Sequence, residues 1–476
     1  MADPLAERDQ LIAAVEFAAQ AAKSYLERLA VDHVVPAGSE AAIQRWRDPM
    51  PEDGSGTLAA LSELVERARE SATRSSGPRF FHFVMGGGTP AALAADWLTS
   101  TYDQVAFAWA SSPFAARLEQ VVVEWLRQLF ELPAEFGGVL TTGATMANFV
   151  SLAAARNWWG ERHGVDVETD GLGGLAPPLI LSSGYLHASA VQAVGMLGLG
   201  RGNIRRLARD AVGRLDVHAL ARELSRAGPA IVVANAGEVN AGDFDPIADV
   251  AELCEQHEAW LHVDGAFGLF ARVSPKSRAL TQGVERADSV VADGHKWLNV
   301  PYDCGFAFVR EADRLPRALN VGAAYLPAAD DPHPNFGFLS PENSRRARSL
   351  AVWATLRAYG RNGYREMVER HLSLAQLLVD LVDGAPELER LADVPLNIVC
   401  FRARPLGIPE PELDALNARL GEAVRADGRV FVGSTTYAGQ TALRPAIVNW
   451  QTQRSDIEQL VQITRELIPT VLAEDP

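Results

Sequence analysis

The chain has 476 residues, a length that suggests two or three packed units rather than one small domain. Hydrophobic residues make up 48% of it and charged residues 22%, which is an ordinary globular balance. The formal net charge of -16 argues against a nucleic-acid-binding protein, because contacts to phosphates need clustered Lys and Arg.

The N-terminal part of the sequence predicts helices. Apolar residues recur at helical intervals over 5–29, and a second helix is expected at 58–69 after loops rich in Pro and Gly. No stretch reaches the roughly 18 uninterrupted apolar residues of a membrane-spanning helix, so we expect no membrane segment.

The middle of the chain predicts helices that alternate with short apolar strands. The predicted helices cover 121–129, 141–156 with its leading turn, 187–197, 249–257 and 344–381. The predicted strands cover 179–181, 230–234, 259–264, 289–292 and 305–309. Because these strands lack polar alternation and are separated by helices, we expect a mostly parallel sheet covered on both faces.

The last hundred residues predict a smaller α+β unit, with strands near 397–402, 429–433 and 441–450 before a closing helix. The predicted fold class is therefore α/β, in three parts. Residues 1–85 form an N-terminal helical segment, residues 86–350 a large α/β domain, and residues 351–476 a small C-terminal domain. Cys254, Cys304 and Cys400 are odd in number and widely spaced, so we expect neither disulfides nor a metal cluster, and a reducing cytoplasm.

The sharpest motif is the segment 292–298, Ala-Asp-Gly-His-Lys-Trp-Leu, which directly follows a predicted buried strand. Its His295 and Lys296 therefore emerge at the carboxyl edge of the sheet, where open α/β folds bind ligands. Lysine is seldom buried without a function, and a desolvated amine can form an imine with an aldehyde. The alternative, a surface lysine beside a core tryptophan, stays open on this segment alone.

A second motif, 261–266, ends a strand on Asp264 and continues with Gly265 and Ala266. A pyridoxal cofactor acts as an electron sink only while its ring nitrogen is protonated, and a buried carboxylate beside that nitrogen keeps it so. The small residues after Asp264 let a flat ring approach. Taken alone, a strand-end Asp that caps a turn is the commoner explanation.

Two helix starts complete the set. In 140–148, small hydroxyl and glycine residues precede an apolar helix, which leaves amides free to bind a phosphate. His187 opens another helix, where it could stack on a flat cofactor and touch a substrate carboxylate. Both features are also common in structural roles, as a plain helix start and as a capping or core histidine.

In chain order, the four motifs supply a phosphate cradle, a stacking histidine, a carboxylate for the ring nitrogen and a lysine for a Schiff base. The sequence resembles the pyridoxal-phosphate-dependent group II amino-acid decarboxylases, the family of aromatic-amino-acid and glutamate decarboxylases, over nearly its whole length from about Pro36. The resemblance is carried by the segments 79–83, 142–148, 187–189, 262–264, 295–297 and 397–402.

The resemblance implies a fold-type-I aminotransferase-like architecture and a homodimer that shares its active sites and is clasped by the N-terminal segment. It implies that Lys296 holds pyridoxal 5'-phosphate, that Asp264 partners the ring nitrogen, and that His187 and Ala266 cover the two ring faces. The family's phosphate ligands correspond to Ala144, Thr145 and His295. Its arginine near the substrate carboxylate corresponds to Arg444, for which a plain surface arginine is the alternative.

Three departures from the family pattern stand out. Glu238 occupies the position of a small threonine that faces the cofactor's ring oxygen. Asp293-Gly294 precedes His295, where proline is the usual neighbour. Phe336 falls near the place of the mobile-loop tyrosine that protonates the substrate carbon, and Tyr325 lies further upstream.

The predicted function is decarboxylation of an L-amino acid to its amine and carbon dioxide through a Lys296 Schiff base. Glu238 and Phe336 keep open an aldehyde synthase or an aminotransferase-like activity. A cofactor-free binding protein is the alternative from another class, and the presence of Lys296, Asp264 and His187 argues against it. The side chain of the substrate is left open, because Phe80, Phe81 and Trp109 could line an aromatic pocket or belong to the core.

Overall fold

The computed structural model describes residues 3–320, 322, 328 and 331–473. The helices are α1 (Leu11–Arg28), α2 (Ser39–Gln44), α3 (Thr57–Ser71), α4 (Pro90–Tyr102), α5 (Pro113–Leu129), α6 (Ala144–Arg162), α7 (Ala188–Met196), α8 (Val217–Ala227), α9 (Ile247–Gln256), α10 (Arg314–Leu319), α11 (Ser349–Asp383), α12 (Glu410–Asp427) and α13 (Arg454–Ala473). Short 3-10 helices cover Pro4–Gln10, Arg201–Asn203, Gly268–Val273, Arg278–Thr281, Val284–Arg286 and Phe336–Phe338.

The strands form two sheets. They are β1 (Gly137–Thr141), β2 (Ile180–Ser182), β3 (Ile204–Arg206), β4 (Ile231–Asn235), β5 (Trp260–Asp264), β6 (Ser289–Asp293), β7 (Gly305–Val309), β8 (Leu388–Arg390), β9 (Phe401–Ala403), β10 (Ser434–Tyr437) and β11 (Gln440–Leu443). The large sheet has the order β1-β7-β6-β5-β4-β2-β3, and the small sheet has the order β10-β11-β9-β8.

The large sheet is mixed but mostly parallel, which confirms the predicted fold class. Strand β7 alone among its seven strands runs antiparallel to its neighbours, β1 and β6, while the other pairs are parallel. Strands β4, β5 and β6 are buried at every residue. Apart from His262 and the polar residues at the strand ends, these strands are apolar, as burial on both faces favours.

The strand order decides which loops meet at the carboxyl edge. Strands β1, β6, β5, β4 and β2 all end there, because the single reversed strand β7 lies between β1 and β6. The loop into α6 therefore lies on one side of β6 and β5, and the loops after β4 and β2 lie on the other side. This edge is where four separated sequence motifs come together.

A buried ion pair fixes the position of β1. Glu119 on α5 and Arg345, which precedes α11, are 2.8 Å apart with side chains 1% and 0% exposed. Arg345 also donates to the carbonyl of Leu140, and Glu119 accepts the amide hydrogen of that residue. The strand that leads into the α6 turn is therefore held by both partners of one pair.

Helix α11 connects the two cores. Its first half, with Val352 and Val368, packs in the core beneath the large sheet, and its second half, with Leu374 and Leu378, packs in the core of the small sheet. The predicted uninterrupted helix over 344–381 begins later than expected and is broken at Gly360, whose φ of 58° lies in the left-handed region that favours glycine.

The small sheet is antiparallel and is joined by α12 and α13, which confirms the predicted α+β unit. The predicted strands at 429–433 and 441–450 are wrong in their bounds. After Leu443 the chain bonds to three separate segments, since the amides of Arg444, Ala446 and Ile447 donate to Gly433, Phe81 and Asn397. A segment shared among three partners cannot form one ladder.

The N-terminal helices leave much apolar surface uncovered. Helix α1 has no buried residue, and its Leu11, Ile12 and Val15 are 65%, 66% and 57% exposed.

No helix in the described residues is long and apolar enough to cross a membrane. The division of the chain at residues 85/86 and 350/351 stays a prediction.

Candidate active site

A cavity of about 570 Å³ opens at the carboxyl edge of the large sheet. Its walls include eight of the residues to which the sequence assigned a cofactor or substrate role: Ala144, Thr145, His187, Asp264, Ala266, His295, Lys296 and Arg444. Strands β5 and β6 and the starts of α6 and α7 supply most of them. The fold thus places residues from five loops in one space, while their chemical roles stay predictions.

Lys296 lies in this cavity beside Asp293, with its Nζ 3.0 Å from Asp293 Oδ2. The lysine side chain is 17% exposed and its amine lies 6.0 Å from the ring centre of Phe267. The next residue, Trp297, is fully buried and donates its indole hydrogen to His371 Nδ1 at 2.8 Å. This anchor holds the backbone beside Lys296 in place.

Asp264 ends β5, and its carboxylate is held from two sides. Asn148 Nδ2 donates to Oδ2 at 3.0 Å, and the amide of Ala266 donates to Oδ1 at 3.2 Å. The residue is only 6% exposed, yet it lines the cavity. A carboxyl group in a fixed orientation therefore faces the space that a ligand would fill.

Behind Asp264, a buried chain of hydrogen bonds has one consistent direction. Trp260 Nε1 can only donate, and it does so to Ser289 Oγ at 3.0 Å. Ser289 then donates to His262 Nδ1 at 2.8 Å, and His262 Nε2 donates to Asn148 Oδ1 at 2.7 Å. Asn148 in turn donates to Asp264.

Full burial lowers the pKa of His262 to about 4, so the ring is neutral at neutral pH. Because Nε2 donates to the oxygen of Asn148, Nδ1 of the neutral ring accepts from Ser289. His262 and Asp264 are two residues apart on β5, so their side chains share one face of the sheet. The chain fixes the orientation of the Asp264 carboxylate before any ligand binds.

The start of α6 has the features of a phosphate cradle. Gly143 precedes the helix without any capping side chain, so the first helical amides are left for other acceptors. A Cβ at Gly143 would lie 3.1 Å from His295 Cε1 and 3.6 Å from Asp293 Oδ1. A Cβ at Gly305 would lie 2.5 Å from the Cα of Gly143. Both glycines keep the cradle open.

Two histidines border the cavity. His187 Nδ1 accepts the amide hydrogen of Ser189 at 3.2 Å, so in the neutral ring Nε2 carries the hydrogen. His295 Nδ1 accepts the amide hydrogen of Cys304 at 3.3 Å, and its ring stacks on Tyr302 at 4.1 Å between centres. Burial lowers the pKa of both histidines, which favours uncharged rings.

Arg444 and Glu238 lie on the side of the cavity formed by the loop after β4. Arg444 is 8% exposed, and its Nη1 donates to the carbonyl of Val239 at 3.0 Å. Glu238 Oε2 accepts the amide hydrogen of Asn240 at 2.8 Å, while Oε1 accepts that of Ala241. Burial raises the pKa of Glu238. Glu238 thus closes its own loop as well as lining the cavity.

The structure accounts for the other two departures from the family pattern, at Gly294 and at Phe336, in different ways. A Cβ at Gly294 would lie 2.7 Å from Phe306 Cζ and 2.8 Å from Cys304 Sγ, so packing explains the glycine. Phe336 does not line the cavity as the described residues form it. It is buried in the core with Arg345 6.0 Å from its ring. Tyr325 lies outside the described residues.

The three aromatic residues left open by the sequence also lie away from the cavity. Phe80 stacks on Phe431 at 4.8 Å, Phe81 belongs to the core of the small sheet, and Trp109 stacks on His333 at 4.7 Å. Phe83, to which the sequence assigned no role within the segment 79–83, does line the cavity and is 58% exposed.

Sequence reasoning missed the structural roles of Asn148, His262, Ser289 and Asp293. The spacing of His262 and Asp264 was the available signal, since alternate residues of a strand face the same way. The partner of Asp264 could not be read from spacing, because Asn148 lies 116 residues away, whereas Asp293 lies only three residues before its partner Lys296.

The residues present fit a flat ring that carries an aldehyde, a ring nitrogen and a phosphate. Lys296 supplies the amine, Asp264 a fixed carboxylate, and the start of α6 an open set of amides. One buried oxygen, Asp293 Oδ1, has no hydrogen-bond partner among the described residues. Such an orphaned acceptor indicates that a bound group completes the site.

The comparisons with known proteins agree with this arrangement. A family model described as the pyridoxal-dependent decarboxylase conserved domain matches residues 49–404. The aromatic-L-amino-acid decarboxylase of Bacillus atrophaeus is 28% identical over 446 residues, which cover 92% of this chain and 90% of the relative. The L-2,4-diaminobutyrate decarboxylase of Rhizobium meliloti (strain 1021) is 32% identical over 414 residues, which cover 84% of this chain and 80% of the relative.

A solved structure is similar over its whole length. The crystal structure of Oryza sativa TDC with PLP and tryptamine has a TM-score of 0.90 and 25% sequence identity, and the match covers 99% of both chains.

Proposed function

The chain belongs to the pyridoxal-dependent decarboxylase family, and on that premise we propose that its cavity removes the α-carboxylate of an L-amino acid as carbon dioxide. Lys296 would hold pyridoxal phosphate covalently, and the start of α6 with His295 would hold the phosphate. The observation that carries the proposal is the meeting of Lys296, Asp264 and this helix start in one cavity.

When bound, pyridoxal phosphate supplies an electron sink for the electron pair that carbon dioxide leaves behind. The chain's own contribution is position and charge. Asn148 and the Ala266 amide hold Asp264, and this carboxylate would be the group that keeps the ring nitrogen protonated. Because the hydrogen bonds behind Asp264 already fix its carboxylate, the carboxylate need not rearrange when charge develops on the cofactor during the reaction.

His187 and Arg444 orient the substrate in this proposal. His187 offers an uncharged ring with its hydrogen on Nε2, suited to stacking on a flat cofactor. Arg444 presents a guanidinium with one of its hydrogens held by Val239, and a planar guanidinium binds a carboxylate well. Fixing the bond to be broken in one orientation lowers the entropic barrier of the reaction.

The first experiment is an absorbance spectrum of the purified protein before and after borohydride, followed by a panel of aromatic, diamino and acidic amino acids. We expect a band near the visible edge that borohydride fixes onto the peptide containing Lys296. One panel member should give carbon dioxide and its amine in equal amounts. A protein that stays colourless with added cofactor would refute the proposal.

The products also test the alternatives that Glu238 and Phe336 left open. Ammonia and hydrogen peroxide in place of the amine would show an aldehyde-forming reaction. A keto acid with no carbon dioxide would show amino transfer.

The protein is also proposed to work as a homodimer. The apolar face of α1 and the exposed side chains of Phe83 and Tyr302, beside the cavity and 58% and 51% exposed, support a shared site. Three buried free cysteines, Cys254, Cys304 and Cys400, support a reducing, cytoplasmic location.

We expect sedimentation velocity to show a dimer at micromolar concentration. Charging the face of α1 with Ile12→Glu and Val15→Glu should weaken it, because buried carboxylates would face the partner. Leu406→Glu is the matched control, since Leu406 is fully exposed in a loop far along the chain. An active monomer, or a dimer indifferent to the α1 changes, would contradict the expectation.

A further inference from the structure

One buried carboxylate of the cavity has a partner for only one of its two oxygens. Asp293 is 2% exposed, and its Oδ2 lies 3.0 Å from Lys296 Nζ. Its Oδ1 is buried and has no hydrogen-bond partner among the residues that the structure describes. Buried carboxylate oxygens are nearly always paired, so Oδ1 indicates a hydrogen-bond donor that binds in this cavity.

The orphaned oxygen points toward the phosphate cradle. A Cβ at Gly143, the residue before α6, would be 3.6 Å from Asp293 Oδ1. The helix start offers amide hydrogens and the positive end of the helix dipole, both of which favour an anion. Asp293 offers the opposite, a further negative charge. A fully ionised phosphate and this carboxylate would therefore repel each other.

The surrounding groups do not remove the conflict. Lys296 and His295 face Asp293 from the loop after β6, at 3.0 and 3.6 Å. Tyr302 and Cys304 face it from the loop into β7, and His187 faces it from the start of α7.

Four of these neighbours, the two histidines, Tyr302 and Cys304, stay uncharged at neutral pH. Burial lowers the pKa of His295 and His187, raises that of Tyr302 to about 12 and raises that of Cys304. Lys296 is the remaining basic side chain in this set, and it is the amine that joins the cofactor. A proton is thus the simplest group that can lie between the two acceptors, a phosphate oxygen and Asp293 Oδ1.

We propose that the cradle binds the cofactor's phosphate as its monoanion, with one proton shared between a phosphate oxygen and Asp293 Oδ1. The proposal rests on the proposed function, since it concerns the same cofactor. The proton arrives with the monoanion or is taken from solvent when the dianion binds, so charge and atoms balance.

The proposal fixes the sign of a pH dependence. A phosphate monoester in water loses its second proton near about pH 6. Above that pH the free cofactor is a dianion, and binding must take up one proton. The contribution of the phosphate to affinity should therefore fall about tenfold per pH unit as the pH rises.

The test compares two probes, pyridoxal phosphate and pyridoxal, each titrated into cofactor-free protein from about pH 6.5 to about pH 8.5. Both form the same bond with Lys296, so the ratio of their dissociation constants isolates the phosphate. The advantage of pyridoxal phosphate should shrink by about 100-fold over this range. In Asp293→Asn the ratio should be flat, because the amide donates to a dianion without a proton.

Asp303→Asn is the matched control. It removes one negative charge from the same loop, but Asp303 pairs with Arg348 and its side chain is 40% exposed. This variant should keep the pH dependence of the unaltered protein. Loss of that dependence in Asp303→Asn would mean that general charge, not the Asp293 contact, is responsible, and would overturn the proposal.

Phosphorus NMR of the loaded protein gives a second readout that needs no variant. At about pH 7.5 the bound phosphate should show the chemical shift of a monoanion. A dianion shift, or a ratio of affinities that does not change with pH, would overturn the inference while leaving the decarboxylase assignment intact. Absence of any bound cofactor would overturn both.

Discussion

Replacing Lys296 with alanine should lower turnover by about 10⁴-fold or more, because no other described amine lines the cavity to hold the cofactor. The fold should persist, since the side chain lies in the cavity and not in a core. Carbon dioxide release measures the first effect, and circular dichroism with thermal unfolding measures the second.

Lys296→Arg separates the covalent role of the lysine from its charge. It keeps a cation near Asp293, which the alanine variant leaves without its partner at 3.0 Å. Arginine does not form an imine under these conditions, so it should be as inactive as alanine but more stable. Lys276→Ala, at an exposed lysine paired with Glu369, should keep full activity. Turnover by Lys296→Arg within tenfold of the unaltered protein would refute the covalent role.

Asp264→Asn should lower kcat by about 10²- to 10³-fold, the scale seen when one fixed electrostatic group is removed from an active site. Asparagine keeps the size of the side chain and can still accept from the Ala266 amide. It removes the negative charge that keeps the ring nitrogen protonated.

The Asp264 prediction has a spectroscopic readout beside the rate. The absorbance band of the cofactor joined to Lys296 should remain in Asp264→Asn, so the loss lies in the chemical step. Asp243→Asn is the control: Asp243 binds Tyr185 and Arg214 at 2.7 and 3.0 Å near the same edge, away from the β5 end. A kcat in Asp264→Asn close to that of this control would contradict the assigned role.

The architecture could be predicted wherever the sequence signal was local. The apolar run 230–234 and the mostly apolar run 259–264 identified β4 and β5, because burial on both faces leaves no regular polar alternation. Three strands and five helices escaped prediction: β1, β3 and β8, and α2, α4, α8, α10 and α12. Strand β3 carries Arg205 and Arg206, both exposed at the sheet edge, and so lacks the apolar signal.

Some element bounds were predicted wrongly because long-range contacts decide them. The stretch 441–450 has strand character, but only Gln440–Leu443 pairs along its length. Beyond Leu443, the backbone amides donate to the carbonyls of Phe81 and Asn397, which are distant from this stretch in the sequence. No local pattern reports where one partner gives way to another.

The sequence by itself determined which residues are candidates for the chemistry. Each candidate follows a buried strand or opens a helix: Lys296, Asp264, His187 and the 142–146 turn. Such positions lie at the carboxyl edge of the sheet in an α/β fold, because the loops there connect each strand to the next helix. Short-range order therefore sufficed to name them and to connect the chain with its family.

Only the tertiary structure decided how those residues are held. The strand order placed α6 on one side of β6 and the Glu238 loop on the other, and it brought Asn148 to Asp264 and Asp293 to the cradle. It also left Phe336 in the core. Hydrogen bonds and ion pairs depend on distances of about 3 Å between groups far apart in the chain, and only the packed fold sets those distances.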